Sequence, residues 1–168
     1  MTSPSSSTTA RAWEVLAGVA DPELPVVSVV DLGIVREVRA EGGALEVTVT
    51  PTYSGCPATQ VIEASIRRAL ADAGLDAIVR TALAPAWTTD WMTAAGREKL
   101  ARFGIAPPGA RAEGAAAPLR FVRAAQRVAC PHCGGTDTEC LAEFGSTACK
   151  ALYRCRECRE PFDYFKPI

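Results

Sequence analysis

"LEVTVTPTYSGCPATQVIEASIRRAL", residues 45–70, changes its period half-way along. Leu45, Val47 and Val49 alternate with Glu46, Thr48 and Thr50, the pattern of a strand with one buried and one polar face. After Cys56 the spacing becomes helical, with Val61, Ile62, Ser65, Ile66, Ala69 and Leu70 recurring along one side. Gly74 stands where a helix C′ glycine belongs. A strand therefore runs into a helix through a corner holding Gly55, Cys56 and Pro57. Pro57 suits the first helical position.

The neighbouring segments complete the pattern. Upstream, "IVREVRA" and "EGG" make a hairpin with the strand, Gly42 and Gly43 being free to take positive φ. Earlier still, Thr8 or Thr9 caps a helix reaching about Ala20 with Trp13, Leu16 and Ala17 on one side, and Asp21-Pro22 stops it. Downstream, "LDAIVRTAL" reads as a third strand. "WTTDWMTAAGREKLARFG" reads as a third helix, capped by Thr88 or Thr89, with Asp90 in its first turn and Gly104 at its end. The order α-β-β-α-β-α predicts a two-layer α+β domain. The expected organisation is a disordered tail at 1–9, this domain at 10–105, a proline-, glycine- and alanine-rich linker at 106–118, and a small module at 119–168.

That module carries "CPHCGG" at 130–135 and "CREC" at 155–158. Each Cys-x-x-Cys forms a tight knuckle that presents two sulfurs on one side, so Cys130, Cys133, Cys155 and Cys158 predict a tetrahedral four-thiolate site. "TECLAEF", "KALYR" and "FDYF" supply strands, and the pattern is a zinc ribbon. So small a core leaves much of the folding free energy to the metal. Zinc is the first reading and a mononuclear iron the second, since both accept this geometry. His132, inside the first knuckle, is expected to face solvent. Cys140 is expected to be a small buried group in a strand. Cys149, in a polar loop beside Lys150, reads as either packing or functional.

Eighteen basic side chains oppose nineteen acidic ones, which gives no electrostatic reason to expect a nucleic-acid or membrane partner. The first dozen residues are polar, unlike a secretory signal, and no run approaches the roughly 20 apolar residues of a membrane span. A cytoplasmic setting is expected, where clustered cysteines are metal or catalytic groups rather than disulfides. Cys56 lies far from the other six cysteines. One reading makes it a packing residue. The other makes it a nucleophile or metal ligand, since unpaired N–H groups at a helix start favour a thiolate. With one histidine in the chain, and that one in the knuckle, a Cys–His catalytic pair is not expected.

Taken together, "DPELPVVSVVDLGIV", "TPTYSGCPAT", "WTTDWM", "CPHCG", "EFGSTACKALYRC" and "EPFDYFKP" closely resemble the PaaD family of phenylacetate degradation. The first domain is similar to a wider family of iron–sulfur assembly proteins. The resemblance implies an iron–sulfur-assembly-like α+β fold followed by a zinc ribbon. It also implies a role beside the multicomponent ring 1,2-phenylacetyl-CoA epoxidase, without catalysis by this chain itself. Carried over by motif, Cys56 corresponds to the family's reactive cysteine. Asp21, Glu23 and Asp31 correspond to its acidic positions; they would either support an oxygen–sulfur site for iron, or Asp21 and Asp31 would cap turns and Glu23 would be solvated. A cluster wants four ligands, so a second copy of the chain or a partner's cysteines would have to complete the set. The implied partners are epoxidase components, above all the iron–sulfur flavin reductase. Two functions follow: transient delivery of iron or an iron–sulfur cluster through Cys56, or a non-catalytic structural role in the epoxidase in which Cys56 is structural.

Overall fold

The computed structural model describes residues 6–41, 44–53, 55–109 and 128–168. The hairpin turn at Gly42-Gly43, Ser54 and most of the linker stretch lie outside them. The chain forms two compact units divided between Lys99 and Leu100, with Ile168 belonging to the first.

In the first unit, α1 spans Ser6–Ala17, β1 Val35–Glu41, β2 Ala44–Val49, α2 Thr59–Asp72 and β3 Ala77–Thr81. The helix α1 begins before Thr8, so the expected tail is shorter, and its buried face is Ala12 and Leu16 rather than Trp13 and Ala17. Strands β1 and β2 pair antiparallel as the hairpin requires, with Val38 opposite Val47. Strands β2 and β3 pair parallel, Val47 opposite Val79, in the order β1-β2-β3. A parallel neighbour needs a crossover, which α2 provides. Ile62, Ile66 and Leu70 form its buried stripe, and the Gly74 N–H closes its end on Ala71 O at 2.9 Å.

This topology fixes a geography. The carboxyl ends of β2 and β3 lie at the same end of the sheet, and α2 starts there. Thr81 at the end of β3 donates its hydroxyl to Glu63 near the start of α2.

The segment 19–34 between α1 and β1 is irregular but packed, burying Val19, Leu24, Val27, Val29, Leu32 and Ile34. It doubles back on itself: Asp21 N–H reaches Val27 O and Val29 N–H reaches Val19 O, both at 2.9 Å. Its far end is held by the segment after β3. Trp87 Nε1 donates to Leu32 O at 3.0 Å, and Thr93 N–H donates to Asp31 O at 2.9 Å. Gly33 has φ +68°, and a Cβ there would lie 2.3 Å from Trp91 O. Only glycine combines that backbone with that approach.

The third helix differs from expectation. Thr89–Trp91 form a single 3₁₀ turn, and α3 is Ala94–Arg102. Met92 is extended (ψ 134°) and buried, so its side chain reaches the interior at the cost of helical continuity. The cap is Thr93, whose Oγ1 accepts the Gly96 N–H at 2.9 Å, not Thr88 or Thr89. Arg97 then ties the 3₁₀ turn to the helix through Thr89 O at 2.6 Å.

The second unit is a four-stranded sheet in the order β4-β7-β6-β5, with β4 at Ile105–Ala106, β5 at Thr138–Ala142, β6 at Lys150–Cys155 and β7 at Pro161–Phe165. The three expected strands β5, β6 and β7 form an antiparallel meander. Strand β4, parallel to β7, takes Ala106 out of the expected linker. Two residues carry no periodicity, so pairing alone reveals it. The core is Ala106, Val128, Cys130, Cys155, Phe162 and Tyr164, with Tyr153 edge-on to Tyr164 at 5.4 Å between ring centres.

Candidate functional site

The four predicted cysteines converge. Every sulfur of Cys130, Cys133, Cys155 and Cys158 lies within 4.8 Å of the others. Cys130 Sγ is 3.8 Å from Cys158 Sγ, and Cys133 Sγ is 3.6 Å from Cys155 Sγ. Thiolates about 2.3 Å from a tetrahedral zinc are about 3.8 Å apart, so the set has the right size.

The two knuckles repeat each other. Gly134 (φ 77°) and Arg159 (φ 66°) both follow the second cysteine in left-handed geometry. Cys130 N–H bonds Gly135 O at 2.9 Å and Cys155 N–H bonds Glu160 O at 3.0 Å. Gly135 N–H points at Cys133 Sγ at 3.4 Å. That amide favours the Cys133 thiolate, yet the neighbouring Cys155, Cys158 and Cys130 thiols outweigh it and push Cys133 up to about 12. Cys155 is held below the ordinary thiol range, chiefly by the Cys158 amide. Four sulfurs this close cannot all ionise unless a cation replaces their protons, which is the chemistry of a thiolate metal site. The residues fit a zinc, and they fit a ferrous ion of similar geometry.

The remaining ribbon residues fall differently. His132 is exposed, as expected, its ring against the Gly104 backbone. Cys140 is exposed rather than buried, because β5 is the edge strand with β6 as its one neighbour. Cys149 is buried, its sulfur 3.1 Å from Thr147 Oγ1, while Lys150 pairs with Asp163 at 2.9 Å.

Cys56 is half-buried in a turn past the carboxyl end of β2. Its N–H bonds Tyr53 O at 3.1 Å, and its carbonyl accepts both the N–H (3.3 Å) and the hydroxyl (2.9 Å) of Thr59. The helix α2 starts at Thr59 with Ala58 as N-cap, so Pro57 lies in the turn and not in the first helical position. The Thr59 hydroxyl donates to the Cys56 carbonyl and so ties the turn to the first residue of α2, with the cysteine in front of the helix rather than inside it. Thr50 and Thr52, which lead into the turn from β2, are buried.

The carboxylates serve the loop. Asp21 Oδ1 accepts the N–H groups of Glu23 (2.9 Å) and Leu24 (2.8 Å), while burial pushes the Asp21 carboxyl up. Glu23 is half-buried. Asp31 accepts the Ser28 N–H at 2.9 Å and the Lys99 ammonium at 2.6 Å, with Thr93 Oγ1 at 3.4 Å. Burial alone would raise Asp31, but Lys99 and Ser28 together hold it below the ordinary range. Among the described residues, the four-cysteine cluster is the group that gathers three or more metal-ligating side chains; Cys56 and these acids do not form a second one. Lys99, Thr93, Trp87 and Trp91, which clasp the acidic loop, escaped the sequence reading. One signal was visible: Gly96 inside a helix marks a close approach, and a Cβ there would meet Asp31 O at 2.8 Å.

Two family models match the chain, iron–sulfur cluster assembly protein over residues 9–81 and PaaD zinc β-ribbon domain over 115–166. A protein of Escherichia coli (strain K12), provisionally named as one of the subunits of 1,2-phenylacetyl-CoA epoxidase, is 48% identical over 157 residues, covering 93% of this chain and 91% of its own. The chain belongs to the PaaD family of phenylacetyl-CoA epoxidase subunits. An Fe-S protein maturation auxiliary factor of Bacillus subtilis (strain 168), YitW, is 36% identical over 89 residues, 52% of this chain and 80% of that protein. A crystal structure of a domain of unknown function, DUF59, from Bacillus anthracis superposes with a TM-score of 0.52 at 28% identity, covering 56% of this chain and 92% of that one. The PaaD family thus joins an iron–sulfur-assembly α+β fold to a four-cysteine ribbon. No helix among the described residues is long and apolar enough to cross a membrane.

Proposed function

We propose that this chain is an accessory maturation factor for a phenylacetyl-CoA epoxidase, handing iron or an iron–sulfur cluster to a redox component through Cys56. The carrying observation is the placement of Cys56: a half-buried thiol in the turn between β2 and α2, inside the region that matches the iron–sulfur assembly family. Kinship with the maturation factor of B. subtilis supports the same reading. Sites of parallel strands joined by a helix form at the carboxyl ends of the strands, which is where this turn sits.

The recipient on this reading is the epoxidase's iron–sulfur flavin reductase, in the cytoplasm, with no nucleic acid or membrane involved. The ribbon's four thiolates hold a structural zinc that contributes to folding. At the Cys56 turn the chain offers one thiol, so the recipient or a second copy of this chain supplies the remaining ligands to the cargo. Asp21 and Asp31 shape the loop instead of binding the cargo.

The test is the iron and acid-labile sulfide content of the reductase produced in cells with this chain, without it, or with Cys56→Ala. The reading expects a cofactor-poor reductase in the last two cases. Full cofactor in all three favours the second reading, a non-catalytic subunit that stabilises an epoxidase component. That alternative draws on the absence of a second ligand cluster around Cys56 among the described residues.

A further inference from the structure

The four-cysteine centre is lopsided. Cys155 and Cys130 are buried in the ribbon core beside Phe162 and Tyr164, whereas Cys133 is exposed and Cys158 half-buried. Two glycines follow Cys133, so no side chain downstream in its own knuckle shields its sulfur. What lies over that face comes from the opposite knuckle. A Cβ built on Gly135 would fall 2.4 Å from Glu157 Oε1 and 2.7 Å from Oε2, so the Glu157 carboxylate rests on the backbone of Gly135. Its Oε1 also faces the Asp137 N–H at 3.4 Å. Gly135 is the residue whose amide points at Cys133 Sγ. A negative charge thus stands against the residue whose amide meets Cys133, the one exposed cysteine of the four.

We infer that Cys133 is the detachable ligand and the chemical-modification site of this centre, open to soft electrophiles and peroxides, with Glu157 as an electrostatic gate against anionic ones. The buried pair Cys130 and Cys155 keeps the knuckles joined to the core. Cys133 is the thiolate a reagent meets first. With an alkyl iodide, the Cys133 sulfur pair forms a carbon–sulfur bond, iodide leaves with the carbon–iodine pair, and the resulting thioether is a weak ligand. With hydrogen peroxide, the sulfur takes one oxygen as the O–O bond breaks. It is oxidised by two electrons to the sulfenate, and the departing hydroxide takes up the remaining proton as water. Either event removes one of four thiolates and leaves the centre open to competing chelators. The inference rests on the ribbon alone and stands or falls independently of Cys56.

The test uses the full chain loaded with zinc. It is treated with iodoacetamide, the alkylated cysteines are mapped by peptide mass spectrometry over time, and released zinc is followed with pyridylazoresorcinol. Cys133 should be modified at least about tenfold faster than Cys155, which is protected by local structure, and zinc release should keep pace with Cys133. Modification of Cys130 or Cys155 first, or release only at the rate of global unfolding, overturns the inference. Glu157→Gln supplies the second arm. It should speed alkylation of Cys133 by anionic iodoacetate while leaving the rate with neutral iodoacetamide unchanged. An equal change with both reagents, or none with either, overturns the gate.

Discussion

Two aspartates in one loop should respond in opposite ways to losing their charge. Asp31 keeps a side chain 10% exposed and accepts from Ser28 N–H and Lys99. Ser28 N–H and Lys99 both bond Oδ2, so an asparagine oxygen there keeps both, and its NH₂ faces the Thr93 hydroxyl, which can accept. What is lost is the charge that strengthens these bonds. That loss is held to about 1 kcal/mol, because Lys99 is 47% exposed and screened by solvent. Asp31→Asn should therefore destabilise the first unit by about 1 kcal/mol at neutral pH. Asp21→Asn keeps the oxygen that accepts Glu23 and Leu24 N–H and removes a charge that burial disfavours, so it should match wild type or gain stability.

The pH dependence carries the sign. Asp31 is depressed in the folded state, so its contribution is present above the unfolded value near 3.9 and is lost as pH falls through the folded value. Asp21 is raised, so its contribution is full below the unfolded value and lost as pH rises through the folded one. The gap between wild type and Asp31→Asn should close on acidification, and that between wild type and Asp21→Asn should not close in the same direction. Trp13, Trp87 and Trp91 are the chain's three tryptophans and all lie in the first unit, so urea unfolding followed by tryptophan fluorescence reads that unit alone. Equal destabilisation by both substitutions at neutral pH would refute the assignment of these carboxylates.

Gly33→Ala forces a side chain into left-handed backbone against Trp91 O, and the same unfolding measurement should show a loss of at least about 2 kcal/mol. Thr93→Ala removes the cap of α3 and should cost about 1 kcal/mol, with helix content by circular dichroism otherwise retained. Metal analysis should find one tightly bound ion per chain, lost in Cys155→Ser and kept in Cys56→Ala; retention in Cys155→Ser would discount the four-cysteine centre.

The parts of the fold written in local pattern were legible. The alternation of Leu45, Val47 and Val49, the stripe of Ile62, Ile66 and Leu70, and the paired knuckles each carry their own period or spacing. What escaped depends on distant partners. "WTTDWM" looks helical in isolation, but Trp87 and Met92 are drawn into the core and Trp91 lies against Gly33, which breaks the helix before Thr93. Ile105–Ala106 become a strand only because β7 offers an edge. Cys140 has the composition of a core residue, yet edge position overrides composition. The acidic motif left both a site and turn caps open, and the hydrogen bonds of Asp21 and Asp31 show the turn-capping contacts. Three of their donors, Glu23, Leu24 and Ser28, lie within three residues and are local turn chemistry, whereas Lys99 reaches Asp31 from 68 residues away and no local pattern shows it.

The central claim concerns the thiol of Cys56, and iron retained by the purified chain tests it most directly. The ribbon is first filled with zinc. Wild type and Cys56→Ala are then incubated anaerobically with ferrous iron and sulfide, desalted and analysed for iron, with tryptophan fluorescence confirming that both are folded. The account predicts iron, or a cluster absorbance, held above background by wild type and absent from Cys56→Ala, with zinc equal in both. Equal iron in the two proteins would contradict it.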